Sequence, residues 1–141
     1  MRESNDLSAA MEDYIKTIYQ LEAKNKVARV SDIGRRLNVK KASVVAAVNL
    51  LKKNELITHE RYGFISLTEK GKEIAGKIVK KNQAIFEFLT IALKIDDEKA
   101  KGEACGMEHS MSDETAEKIN QLARSYQQKA SKKSDKKPVK R

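Results

Sequence analysis

Only three residues, Asn38-Val39-Lys40, separate two short stretches of helical apolar spacing, and that gap restricts the fold more than any other feature of the chain. Residues 32–37 read as two turns of helix. Residues 41–54 place Val44, Ala47, Val48 and Leu51 at intervals of three and four on one face. So short a turn forces the two helices to pack against each other, which makes the pair a helix-turn-helix. Lys40, Lys41, Ser43 and Ala46 then fall toward the outer, N-terminal end of the second helix.

The flanking segments complete a known arrangement of elements. Ser8 is placed to cap a first helix running to about Ala23, with Met11, Ile15, Ile18, Tyr19 and Glu22 at helical spacing. After the Lys24-Asn-Lys turn, Ala28-Arg-Val reads as a short extended piece, and Ser31 as the cap of the next helix. Residues 56–60 and 64–67 are β-prone runs around Arg61-Tyr62-Gly63, so they form a hairpin with Gly at its turn, a wing beside the helix pair. Thr68-Glu-Lys-Gly opens a strut helix over about residues 68–93, with Ile74, Ile78, Ile85, Phe88, Leu89 and Ala92 recurring at three and four. Asp96 or Asp97 starts another helix. Ser112 followed by Asp-Glu opens the last, through Ile119 and Leu122 to about Gln128.

The expected fold is therefore mainly α: a winged helix-turn-helix over residues 1–72, an all-helical dimerisation and metal-binding domain over 73–128, and a disordered Lys/Ser-rich tail over 129–141. Charge follows these boundaries. Residues 1–72 hold fourteen Lys/Arg against nine Asp/Glu, residues 73–128 eight against ten, and the tail seven against one, which together give the net +9. A basic N-terminal part beside a slightly acidic middle suits a nucleic-acid reader joined to a cation-binding or assembly module. Trp is absent and aromatics make up 5% of the chain, so a base-stacking platform for single strands is excluded. No run has the length and apolarity of a membrane span, nothing resembles a signal peptide, and a lone Cys forms no internal disulfide, so the expectation is a cytoplasmic protein with no membrane partner. For the tail, the expectation is nonspecific DNA affinity that weakens steeply with salt.

Cys105, Glu108 and His109 stand at i, i+3 and i+4. On a helix this spacing turns a thiolate, a carboxylate and an imidazole toward one face, and the mixed S/O/N set suits a borderline divalent transition metal. Read alone, the same residues also fit a small buried Cys and a hydrogen-bonded core His.

Four stretches identify a resemblance: Met11-Glu-Asp-Tyr-Ile-Lys-Thr-Ile-Tyr, Arg29-Val-Ser-Asp-Ile, Leu67-Thr-Glu-Lys-Gly and Glu103-Ala-Cys-Gly-Met-Glu-His. With the order of elements, they make the chain resemble the iron- and manganese-dependent transcriptional repressors of the diphtheria toxin repressor type, in the short two-domain form similar to the manganese transport regulator. The resemblance covers roughly residues 7–126. It implies metal ligands at Asp13, Cys105, Glu108 and His109: Asp13 matches the manganese-type ligand of the first helix, Cys105 the iron-type ligand before the Glu-His pair. Asn82 stands where these proteins have a metal-binding His, Lys16 where the manganese type has a second carboxylate, and Lys101 where the iron type has a His. One ion per subunit is thus expected, with the Asn82 carbonyl as a weak fifth contact. Fe2+ is the first choice because of Cys105 and Mn2+ the second because of Asp13. Zn2+ is expected to bind in vitro whatever the physiological metal.

The resemblance implies a metal-dependent regulator, a repressor of metal-homeostasis genes, in which an ion favours the geometry able to bind double-stranded operator DNA. A homodimer is needed to read paired half-sites, and helices within residues 97–128 are the expected contact. For DNA, Lys40 and Lys41 can donate to guanine or phosphate, Ser43 lies in the first turn, Ala42 or Ala46 can pack on a thymine methyl, and Arg29, Arg35, Arg61 and Tyr62 suit backbone contacts. The main rival is a metal-insensitive winged-helix regulator with a degenerate site. A zinc hydrolase is disfavoured, because His59, the only other His, belongs to the wing and no separate acid or base accompanies the pair. No small-molecule substrate is expected.

Overall fold

The structure, a computed structural model, describes residues 7–25, 27–60 and 63–136. Arg61 and Tyr62 at the expected wing tip, and residues 137–141 of the expected tail, lie outside the described residues. The chain divides into two compact units, Met1–Ile78 and Val79–Arg141, so the boundary falls inside the strut helix and not at residue 72.

In the first unit, α1 spans Ala9–Asn25 and starts where Ser8 Oγ accepts the Met11 amide at 3.2 Å. The short strand β1, Ala28–Arg29, leads directly into α2, Val30–Leu37. Ser31 therefore does not cap α2. Arg29 occupies the cap position, in extended conformation and without a side-chain cap bond, because its backbone is still paired with Phe64 in the sheet when the helix begins. Asn38 ends α2 in the left-handed region (φ 57°), where its amide bonds back to Gly34 O, and α3 follows over Lys41–Lys53. Asn tolerates this conformation better than most side chains.

β2 (Ile57–His59) and β3 (Phe64–Leu67) form the expected hairpin, and β1 adds to it in the order β1-β3-β2, all antiparallel. Gly63 takes φ +87° at the turn, a conformation open to Gly at little cost. The core joins the three helices to one face of this sheet and to the first turns of α4 (Glu69–Glu87). Ile15, Ile18, Ile33, Leu51, Ile57 and Ile65 are fully buried, each contributing about 1.5–3 kcal/mol. On α3 the buried positions are Val44, Ala47, Val48 and Leu51, as the spacing requires.

In the second unit, the end of α4 passes into a π-helical turn, Phe88–Ala92. Thr90 bonds back to the Phe86 carbonyl at 3.0 Å, and the Leu93 amide reaches Phe88 O at 3.2 Å. α5 spans Asp97–Glu108 and α6 Asp113–Lys136. Ile85 and Leu89 pack on Ala100 and Ala104, with Phe86, Ile95 and Met111 at the edge. Ser112 Oγ caps α6 by accepting the Thr115 amide at 3.1 Å. α6 continues past its expected end at Gln128: residues 129–136 are helical, since they hold no Gly or Pro and are dominated by Lys, Ala and Ser on a helix already nucleated.

The first turn of α4 lies against the end of α3. Thr68 Oγ1 donates to Glu55 O at 2.8 Å and accepts the Gly71 amide at 3.1 Å. A Cβ at Gly71 would sit 2.1 Å from the Leu56 carbonyl oxygen, a backbone atom that cannot swing away. Gly71→Ala is accordingly expected to lower stability by about 1–3 kcal/mol, read as a lower midpoint in urea denaturation. An unchanged midpoint would show that this contact is looser than drawn.

Candidate metal centre and nucleic-acid interface

α5 turns a single narrow stripe inward, Ala100, Ala104 and Glu108, at intervals of four. The two alanines let the helix approach closely, and the same register carries the carboxylate of Glu108 out of water: the residue is 2% exposed. His109 follows as the helix C-cap, and its Nε2 lies 3.4 Å from Glu108 Oε2. A buried carboxylate is costly unless positive charge or donors meet it. An oxygen and an imidazole nitrogen held this close fit a divalent transition ion, whose charge would offset that cost.

Cys105 sits one residue after Ala104, hence about a quarter turn round the helix, and is exposed. Its Sγ accepts a long hydrogen bond from Asn82 Nδ2 of α4, at 3.9 Å, and stands outside the carboxylate-imidazole cluster. The second unit thus holds two pairs of expected site residues, Glu108 with His109 and Asn82 with Cys105. Asp13 is on α1 of the first unit, half-buried, one residue before buried Tyr14. Lys16, a turn further on, is 8% exposed; among the described residues, the buried polar or charged ones are Lys16, Thr17 and Glu108.

One residue with a clear role escapes sequence reasoning. Lys81, next to Asn82 on α4, donates from Nζ to the Met111 carbonyl at 2.8 Å and faces Asp113 Oδ1 at 3.2 Å. It pins the turn that leaves His109 and enters α6. Its partners lie thirty residues on, beyond any local spacing rule.

The expected DNA-contacting residues lie on the helix-turn-helix surface. Lys40 is the N-cap of α3 and forms no side-chain cap bond, leaving first-turn amides available to a phosphate. Lys41, Ala42, Ser43 and Ala46 are all exposed. Arg29 lies over the Phe64 ring at 4.8 Å, and Arg35 pairs with Asp32 at 3.4 Å, so both guanidinium groups are positioned at the surface.

Comparison with known proteins gives the same division of labour. Residues 6–64 match the family model for the N-terminal DNA binding domain of iron dependent repressors, and residues 68–135 match the model for their metal binding and dimerisation domain. The chain is 35% identical over 130 residues to the HTH-type transcriptional regulator MntR of Bacillus subtilis, covering 92% of this chain and 91% of that protein. Among solved structures, it is similar to T. acidophilum IdeR (29% identity, TM-score 0.72, 86% of this chain) and to the manganese regulator SloR (27% identity, TM-score 0.71, 79% of this chain). It spans about half the length of those two, 55% and 52%.

The Lys81 clamp yields a direct test. Lys81→Met should remove a charge-assisted bond worth about 1.5–3 kcal/mol and speed amide hydrogen exchange across residues 109–112, with Lys81→Arg restoring part of the protection. Equal exchange in wild type and Lys81→Met would mean that the turn holds itself. Helix-turn-helix, wing, buried Glu-His pair and both domain matches lead to one assignment: the chain belongs to the iron-dependent repressor family, transcriptional regulators that bind DNA through the N-terminal domain and bind a divalent metal and dimerise through the C-terminal one.

Proposed function

We propose that the protein represses metal-homeostasis genes as a homodimer whose affinity for double-stranded operator DNA rises when each subunit takes up one divalent ion, Mn2+ ahead of Fe2+. The observation that carries this reading is the pair of consecutive residues Glu108 and His109, a buried carboxylate and its imidazole neighbour 3.4 Å apart. Asp13 supplies a third, oxygen donor. Drawing ligands from the first helix as well as from α5 makes occupancy of the site and the geometry of the DNA-binding domain thermodynamically linked.

The order of metals departs from the expectation set by Cys105. A thiolate would favour Fe2+ over Mn2+, but the thiol stands beside Asn82 and apart from Glu108 and His109. Two carboxylates and an imidazole form a harder set that suits Mn2+. Cys105 and Asn82 then act as neighbours of the site. Zn2+ outcompetes either ion in affinity at most such sites, so the cellular supply decides which metal signals.

The dimer contact is placed on the second unit, where Met107 of α5 and Leu122 and Tyr126 of α6 are large, apolar and 37–47% exposed. Leu122 and Tyr126 are one turn apart and share a face. Exposed apolar groups in this arrangement are characteristic of association surfaces.

Two experiments test these assignments. Fluorescence anisotropy of a labelled duplex, with Mn2+, anaerobic Fe2+ or Zn2+ added to wild type, should show metal-promoted binding. His109→Ala should shift the metal midpoint more than about tenfold, and Cys105→Ser should keep the Mn2+ response. Loss of that response in Cys105→Ser would restore the thiol as a ligand and Fe2+ as the first choice, while an unaltered His109→Ala would remove the switch. Analytical ultracentrifugation of Leu122→Glu should show monomer at concentrations where wild type is dimeric; a stable dimer would move the interface elsewhere.

A further inference from the structure

α3 carries two stripes, and they lie on opposite sides of it. The buried one is Val44, Ala47, Val48 and Leu51. Shifting that pattern back by two residues gives Ala42, Val45, Ala46 and Asn49, and two residues turn a helix about 200°. Every member of this second set is exposed, Val45 at 39%. The face pointing straight away from the core is therefore aliphatic at three of its four positions.

Solvent alone does not call for such a face. The chain is 35% charged, yet residues 42–51 contain no charged side chain, although six of them point outward on a helix that Lys or Glu would suit as well as Ala. The family match makes the ligand of this domain duplex DNA, so the open question is which chemical feature of the groove the helix reads. Lys and Arg, which select guanine through O6 and N7, are missing from the outward face beyond Lys41. An aliphatic surface complements the one apolar group of the major groove, the thymine C5-methyl.

We infer that α3 discriminates its operator chiefly by packing Ala42, Val45 and Ala46 against thymine methyl groups, with Ser43 and Asn49 supplying the few hydrogen bonds to base edges and Lys40 and Lys41 holding the backbone. The inference rests on the DNA-binding reading and adds its specificity rule. Val45 is the central residue: it has the largest side chain of the three and lies midway along the stripe. Ten uncharged residues also avoid the penalty of taking a Lys or Arg out of water against a methyl group.

The probe is a duplex enriched from a random-sequence pool by the Mn2+-loaded wild-type protein. Replacing thymine by deoxyuridine, one position at a time, removes a methyl and leaves base pairing intact. Affinity should fall about fourfold for each contacted methyl, and adding a methyl at C5 of cytosine should strengthen binding where the stripe reaches it. In Val45→Ser, whose substitution is at an exposed site, the deoxyuridine penalty at one thymine in each half-site should shrink toward unity while the other penalties persist. Deoxyuridine duplexes that bind like their thymine parents at every position would overturn the inference and leave DNA binding standing. Penalties that are the same in wild type, Val45→Ser, Ala42→Ser and Ala46→Ser would also overturn it. A pool that never enriches would overturn the DNA-reading assignment itself.

Discussion

Removing the Glu108 carboxylate from water is the most demanding act in the second unit, and the residues around it are arranged to bear that cost. An ionised carboxylate in a protein interior loses several kcal/mol of hydration that only close positive charge or donors recover. α5 has little freedom to avoid it: its stripe of Ala100 and Ala104 has to face inward for the unit to close, and the next position on that stripe is Glu108. His109 meets the carboxylate from the adjoining residue, and Lys81 fixes the turn in which His109 ends the helix. A site built this way binds a dication strongly because the cost is already incurred on folding, before any ion arrives. That is the physical content of preorganisation in this unit.

Geometry of the opposite kind governs α3. Burying one stripe fixes the other, because a helix anchored by Val44, Ala47, Val48 and Leu51 has no rotational freedom left. The turn at Asn38 and the uncapped start at Lys40 set where the helix begins, and the Thr68-Glu55 bond with the Gly71 contact fixes the segment just beyond its end. Both the amides at the N-terminus and the outward aliphatic face are thus presented by packing that has no part in the contact itself. Changes in the core of the first unit would reach DNA recognition through the angle of this one helix.

Residues whose role depends on a repeat of three, four or two were legible from the sequence. The α3 core, the hairpin around Gly63 and the Ser8 and Ser112 caps all follow from local spacing, and the structure reproduces each. Ser31 failed as a cap because pairing of Arg29 with Phe64, thirty-five residues away, sets where α2 starts. Lys81 was invisible for the same reason, its partners being distant in sequence. The π-helical turn at Phe88–Ala92 left no trace in the apolar spacing, since inserting one residue into a helix shifts the register by less than the width of an apolar stripe. At the site, the Cys-Glu-His spacing identified the right helix. It did not separate Glu108, which continues the buried stripe, from Cys105, which lies a quarter turn away, because i+3 and i+4 neighbours share a face only to within that angle.

That quarter turn has a consequence for metal choice. Thiolate is the donor that most strongly separates Fe2+ and Zn2+ from Mn2+, whereas carboxylate and imidazole rank the three more evenly. Moving the sulfur out of the ligand set narrows the affinity gap that would otherwise exclude Mn2+. Lys16 adds to this effect in electrostatic terms: as a buried residue one turn from Asp13 on α1, it brings a fixed positive charge to the helix that supplies the third donor. A resident ammonium lowers the attraction for every dication alike, which weakens binding without reordering the metals. Weaker binding places the midpoint of the response at higher metal concentration, nearer the range in which a loosely held ion such as Mn2+ is buffered, and so turns the loss of two donors into a shift of set point with the switch retained.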